Sequence, residues 1–397
     1  MELFQHQKTF LLANPNKSAL VWSCGTGKSR AAIEWITMGS TALIICPKAL
    51  KTNWKREADK WGAKVVIYTK EEFRKEWDDL PKYNEVIIDE CHNGFLTPNF
   101  KSQMSKALRN YLKKHDVGRV LMLSATVYSS SPWNIFQLGT LLGHKWNWAK
   151  FNYTFFDQIR MGQRMIPVAK KGIEPKLAEI TKKIASVVDI HDCMDVPLQL
   201  HCEPEYFSLT KEQERAIEDN YDPVPIVRYT QQHEIENGIL LGNEFRKPQT
   251  YENYKIERIK ALCEENKKIA IVCRYNLQIE ALELALRGSG KEPFIIRGDV
   301  KDRDKVCQAV ERSGSAIVLI QADCAEGYQL PSFGLCVFAS QSYSYVKWEQ
   351  MCGRFLRMDK PSRTTFMYLL TEGDSVDQGV YDAVKRREDF KINLFKK

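Results

Sequence analysis

No apolar run in this sequence approaches the ~20 residues that cross a bilayer, so no membrane-spanning helix is expected. The opening segment Met1-Glu2-Leu3-Phe4-Gln5-His6-Gln7 has neither the basic n-region nor the apolar h-region of a secretory signal. A cytoplasmic protein is therefore expected: in the host cytosol if the source is viral, nuclear if it is eukaryotic. There are 11 cysteines, but no C-x-x-C pair. The number is odd, and Cys46, Cys273 and Cys336 sit inside apolar runs, where a thiol acts as a small hydrophobe. That excludes a disulfide scaffold and predicts reduced core thiols. The patch His191-Asp192-Cys193 has no second pair of ligands, so it predicts no metal site. Neither charge forms a block: 58 Lys and Arg stand against 50 Asp and Glu, a formal +8 spread along the chain. A flexible basic tail is excluded, and a polyanionic partner is compatible but not required. No short-period repeat is present.

What the sequence does have is strand–helix alternation. The chain has 397 residues, 44% hydrophobic and 27% charged, enough for two or three domains with real cores. Residues 19–22, 41–46, 64–68, 86–89 and 120–123 read as buried strands, with helices expected over 29–38 and 51–61. Residues 268–273, 293–296, 316–320, 335–338 and 365–370 repeat the pattern, with a helix over 277–286. Continuous apolar strands separated by helices predict parallel sheets covered on both faces. Between them lies a different stretch, with aromatic–basic segments and a helix over 210–220 that Thr210 caps with Gln213 three residues on. The expected division is 1–143, a linker or insertion at 144–254, and 255–397. Trp146, Trp148 and Phe151 in the middle segment either fill a core or offer a surface for stacking bases.

Three motifs carry chemistry. Gly25-Thr26-Gly27-Lys28-Ser29 follows a strand and opens a helix, as a phosphate-binding loop requires. The glycines let backbone N–H groups approach the anion, Lys28 reaches the β- and γ-phosphates, and the Ser29 hydroxyl can hold Mg²⁺. The full pattern wants glycine at position 22, where this chain has Trp22. Asp89-Glu90 follows the apolar strand Val86-Ile87-Ile88, and carboxylates at the carboxyl end of a parallel strand face the ligand crevice. Asp89 is placed to bind Mg²⁺, and Glu90 to polarise the attacking water. In the third motif, Gln350, Arg354 and Arg357 are spaced i, i+4 and i+7, which puts them on one helix face. Such arginines can stabilise charge on a transferring phosphate.

Taken together, Leu3-Phe4-Gln5-His6-Gln7, the glycine loop, Asp89-Glu90-Cys91-His92, Ser124-Ala125-Thr126, Ala325-Glu326-Gly327-Tyr328-Gln329-Leu330 and Gln350 to Arg357 resemble the ordered motifs of superfamily 2 helicases and translocases. Leu43 to Leu50 followed by Asn53-Trp54 and Glu57, and Ser124 to Tyr128 leading into Trp133 to Leu138, are similar to the SWI/SNF-like branch of double-strand DNA translocases. Trp22 and Ser23 stand where that branch has an acidic pair, and its long insertions and histone-reading modules are missing.

The resemblance implies an α/β fold of two RecA-like lobes, each a mostly parallel sheet flanked by helices, with a small, mainly helical insertion or linker. It implies an ATP hydrolase that uses Mg²⁺ and moves along DNA. Gln7 would contact the base. Gly25, Thr26, Gly27, Lys28, Ser29, Gly327 and Gln350 would hold the nucleotide. Lys28, Asp89, Glu90, Arg354 and Arg357 would be catalytic, with Ser29 and Asp89 on the metal. Lys48, Lys51, Ser124, Thr126 and Gln329 would contact nucleic acid, most often double-stranded DNA. An RNA helicase of the same superfamily and an ATP-switched nucleic-acid-binding scaffold remain as alternatives.

Overall fold

The computed structural model describes residues 2–96, 102–125, 127, 131–161, 164–193, 199–244, 246–288, 290–300, 303–325, 327–356, 363–386 and 388–390. The chain divides into two compact units, Met1–Asp195 and Val196–Lys397. Both are α/β.

The first unit is built on β1 (Lys17–Trp22), β2 (Thr41–Cys46), β3 (Lys64–Thr69), β4 (Glu85–Ile88) and β5 (Arg119–Ser124). Two further strands, β6 (Phe156–Met161) and β7 (Arg164–Ala169), form a separate antiparallel hairpin, and β8 (Ala185–Val188) returns to the main sheet. The sheet order is β3-β2-β4-β5-β1-β8, with every pairing parallel. Parallel strands covered on both faces have no solvent side, which is why β2 and β4 read as unbroken apolar runs and are buried almost throughout. Because β1 and β4 flank β5, the loops that follow them leave the same edge of the sheet.

The second unit adds β9 (Gln199–His201), β10 (Glu205–Phe207), the short pair β11 (Ile239–Leu240) and β12 (Gln249–Thr250), then β13 (Lys268–Cys273), β14 (Phe294–Ile296), β15 (Ala316–Gln321), β16 (Leu335–Phe338) and β17 (Thr364–Thr371). Its seven-stranded sheet runs β10-β17-β16-β13-β15-β14, with β9 also on β17, and is parallel throughout.

The stretch expected as a linker or insertion is shared between the units. Residues up to 188 complete the first unit: Asn147 caps the helix Trp148–Phe155 by accepting from Lys150 N at 2.9 Å, and β8 pairs with β1. The aromatics there are largely core. Phe151, Phe155 and Phe156 are buried around Trp133 and Phe136, and Trp146 packs so tightly on Gly139 that an added Cβ would stand 2.6 Å from the indole. Trp148 stacks on Trp133 at 5.4 Å but stays half exposed. From β9 onward the stretch belongs to the second unit. The helix Lys211–Asp219 has the expected cap, with Gln213 N donating to Thr210 Oγ1 and Thr210 N donating to Gln213 Oε1. Among the described residues no helix is long and apolar enough to cross a membrane.

Candidate active site

In the first unit, β1 ends at Trp22, the residue that departs from the phosphate-loop pattern. Its indole is fully buried, donates to Ser186 Oγ at 2.9 Å and meets His6 edge-on at 4.8 Å. A tryptophan there is thus a core residue under the loop rather than part of its turn. The turn itself is made by Gly25 at φ 81° and Gly27 at φ 80°, both in the left-handed region that favours glycine. Thr26 is buried and its hydroxyl closes the loop onto Ser23 O at 2.7 Å. Lys28 donates to Trp22 O at 2.7 Å and Ser23 O at 3.2 Å, so its ammonium lies against the carbonyls of its own loop. Ser29 is the second residue of the helix Lys28–Trp35, whose N-terminus favours anions.

The helix Gln5–Ala13 braces this loop from below. Gln7 is buried; its Nε2 donates to Gly27 O at 3.0 Å and its Oε1 accepts from Phe4 N at 2.8 Å. A Cβ on Gly27 would stand 2.5 Å from that amide, so this contact itself requires glycine. His6 Nε2 lies 2.9 Å from Thr26 O. Gln7, expected on the base, places its amide against the glycine loop. His6 was missed, since a single histidine in a short helix carries no pattern.

Asp89 and Glu90 follow β4. Asp89 is buried, accepts from Trp54 Nε1 at 2.8 Å on Oδ2 and from Glu90 N at 2.9 Å on Oδ1. Burial and the adjacent Glu90 charge push its carboxyl up to about 6, against the pull of the Trp54 bond and the Lys28 charge. Glu90 sits at φ 47°, a conformation that strains a residue with a side chain. What holds it is Lys70, buried, whose Nζ donates to Glu90 O and Asn93 O, each at 2.8 Å. Glu90 Oε2 is buried, lies 3.3 Å from His92 Nδ1 without hydrogen-bond geometry, and has no hydrogen-bond partner among the described residues. His92 Nδ1 is 2.9 Å from Ser124 Oγ at the end of β5. Burial, helped by Lys70, lowers the imidazole to about 4, so it is neutral at pH 7.

Ser124 was expected on nucleic acid. It is 1% exposed, with its hydroxyl 2.9 Å from His92 Nδ1 of the acidic turn. Thr126 lies outside the described residues. Lys48 is exposed, and Lys51, at the start of the helix Lys51–Trp61, pairs with Glu72 at 2.8 Å. That helix also carries Trp54.

Trp54 and Lys70 were not legible as site residues. A signal existed for Trp54: a buried indole N–H needs an acceptor, and a buried aspartate needs a donor. Trp54→Phe removes the donor and shrinks the indole to a phenyl ring, and is expected to cost at least about 1–3 kcal/mol in chemical unfolding of the first unit. Unchanged stability would show that the bond carries no weight.

In the second unit the structure brings two expected elements together. Arg354 is buried; its Nε donates to Gln350 O at 3.1 Å, its Nη1 reaches Tyr328 O at 3.4 Å, and its own carbonyl accepts from Leu330 N at 2.8 Å. It therefore clamps the loop that holds Gly327, at φ 90°, and the half-buried Gln329. Gln350 is buried in the helix Tyr345–Cys352. The single helix face expected for Gln350, Arg354 and Arg357 is not formed. The α-helix stops at Cys352, a 3₁₀ turn covers Gly353–Phe355, and Leu356 is extended. The reason is local: Gly353 is a poor helix residue, and the turn lets both Phe355 and Leu356 enter the core. Arg357 lies outside the described residues.

No family model matches the sequence, and no curated protein does. Among solved structures, the chain is similar to the Sulfolobus solfataricus SWI2/SNF2 ATPase core in complex with dsDNA. The likeness covers 100% of this chain and 92% of that one, at 16% identity and a TM-score of 0.43.

Proposed function

We propose that this chain is an ATP-dependent DNA motor, with the nucleotide held on the first unit. One observation carries the reading: a buried Asp89–Glu90 pair leaves the same sheet edge as the glycine loop, and Glu90 keeps a buried carboxylate oxygen with no hydrogen bond among the described residues. A buried, unbonded oxygen on a strained residue costs free energy that a purely structural glutamate would not incur. The residues also fit ATP and Mg²⁺. Two left-handed glycines, a lysine bonded to two loop carbonyls, and a helix N-terminus make an anion cradle, and Ser29 with Asp89 supplies the oxygen donors magnesium prefers.

In this reading Lys28 exchanges its loop carbonyls for phosphate oxygens. Mg²⁺ held by Ser29 and Asp89 would neutralise charge on the phosphates. Glu90 orients the attacking water and accepts its proton. The Ser124–His92 link passes changes at the end of β5 to the acidic turn. Arg357 adds positive charge to the reaction, and each turnover drives a step along DNA. Lys48, Lys51, Thr126 and Gln329 contact the backbone phosphates, and such contacts carry no sequence preference.

Steady-state ATP hydrolysis is the test, measured without nucleic acid and with duplex DNA, single-stranded DNA and duplex RNA at one low salt concentration. Strong stimulation by duplex DNA, abolished by Lys28→Ala, is the expected result. Stimulation by RNA alone would replace this reading with an RNA helicase, and DNA binding with negligible turnover would replace it with an ATP-switched scaffold.

A further inference from the structure

The hairpin β6–β7 pairs only with itself among the described residues. Isolated two-stranded hairpins are marginal in water, yet this one exposes Ile159 at 48%, Met165 at 58%, Ile166 at 38% and Val168 at 43%. Ile159 pairs across the hairpin with Ile166, and Arg160 with Met165, so each face presents apolar surface. Apolar side chains exposed on both faces of a small hairpin mark a binding surface.

Its charge identifies the partner. Residues 144–171 contain six basic residues, Lys145, Lys150, Arg160, Arg164, Lys170 and Lys171, against the single acid Asp157. That net +5 is more than half of the chain's +8. Asp157 lies 4.0 Å from Lys170, which also sits 5.3 Å from the ring of Tyr153, itself 83% exposed on the preceding helix. Basic groups interleaved with exposed apolar and aromatic side chains match a nucleic acid whose bases are accessible: phosphates take the cations, and unstacked bases take the apolar surface. A plain duplex backbone would leave the apolar residues without a role.

We propose that β6–β7 is a pin that engages unstacked bases at a fork or distorted step of DNA, with Met165 and the Ile159–Ile166 pair against bases and Arg160 on phosphate. The inference rests on the motor reading only in taking DNA as the partner.

The test compares nucleotide-free binding of the full chain to a forked duplex and a blunt duplex, with 2-aminopurine at the fork to read base unstacking. The double variant Met165→Ser with Ile166→Ser changes only exposed side chains, and a circular-dichroism melt matching wild type verifies its fold. It is expected to lose the 2-aminopurine increase and about tenfold in fork affinity, with blunt-duplex affinity retained. Arg160→Glu is expected to weaken both and to flatten the salt dependence. Equal fork affinity in the double variant and wild type would overturn the pin, as would a hairpin-dependent dimer in light scattering with DNA binding unchanged. Failure of wild type to bind either DNA would instead sink the DNA reading itself.

Discussion

Glu90→Gln is expected to leave ATP binding near wild type and to lower turnover by about 10²–10⁴-fold, the usual contribution of a positioned general base. The two side chains are nearly isosteric, so the loop, the Lys70 clamp on the Glu90 carbonyl and the Asp89–Trp54 bond should all survive. What is lost is a carboxyl oxygen that is buried, with no hydrogen-bond partner among the described residues, beside a neutral imidazole. The neutral amide also removes a charge that helps push Asp89 up, so the Asp89 carboxyl should fall back toward its ordinary value. Single-turnover hydrolysis with a fluorescent nucleotide for binding separates the two readouts. Normal turnover in this variant would remove Glu90 from the chemistry and leave the φ of 47° as an unexplained strain.

Asp377→Asn is expected to be the most destabilising single change in the second unit. Asp377 is 2% exposed. Its Oδ1 accepts from His233 Nε2 at 3.0 Å and Asn237 Nδ2 at 3.1 Å; its Oδ2 accepts from Lys255 and from Thr371 Oγ1 at 2.9 Å. Lys255 is 3% exposed, so the carboxylate is the counter-ion of a buried ammonium. Removing one partner of such a pair costs about 3–5 kcal/mol, or roughly 6–20 °C in the melting of a unit of this size. Burial alone would raise the Asp377 pKa, but Lys255 and His233 hold it far below the usual carboxylate range. A depressed carboxyl stabilises the fold at pH values above its unfolded value of 3.8 and loses that effect as pH falls through the folded value. The gap between wild type and variant should therefore be full at pH 7 and narrow below pH 3.8. A loss of under about 1 kcal/mol at pH 7 would mean that Lys255 finds another partner.

The network explains why residues 225–236 were hard to place from sequence. The helix Pro225–Glu236 sits in the stretch expected as a linker or insertion, yet it carries His233 and Glu236 into the core of the second unit. Glu236 accepts from Val376 N and Asp377 N at the start of the helix Val376–Lys385, 140 and 141 residues away. Burial and the Asp377 charge push its carboxyl up to about 8. Composition marked this region as different; it could not show that its polar residues were buried.

The strands were legible because a parallel strand covered on both faces must be apolar throughout, and that demand is local. β2 and β13 lie at the positions expected for them, Thr41–Cys46 and Lys268–Cys273. The glycine loop and the acidic turn were legible for a similar reason: a left-handed turn favours glycine, and the carboxylate pair directly follows an apolar strand. The end of the helix at Cys352 was misjudged because spacing alone assumes that a helix continues, whereas Gly353 and the burial of Phe355 and Leu356 stop it.

The sequence by itself determined two parallel α/β sheets and the order in which a glycine loop, an acid pair and an arginine segment occur along the chain. Only the tertiary structure decided which side chains support them. Trp54 reaches Asp89 across 35 residues and Lys70 reaches the Glu90 carbonyl across 20. Those contacts depend on β4 lying between β2 and β5, and strand order is set by packing between segments distant in the chain, which no local periodicity encodes.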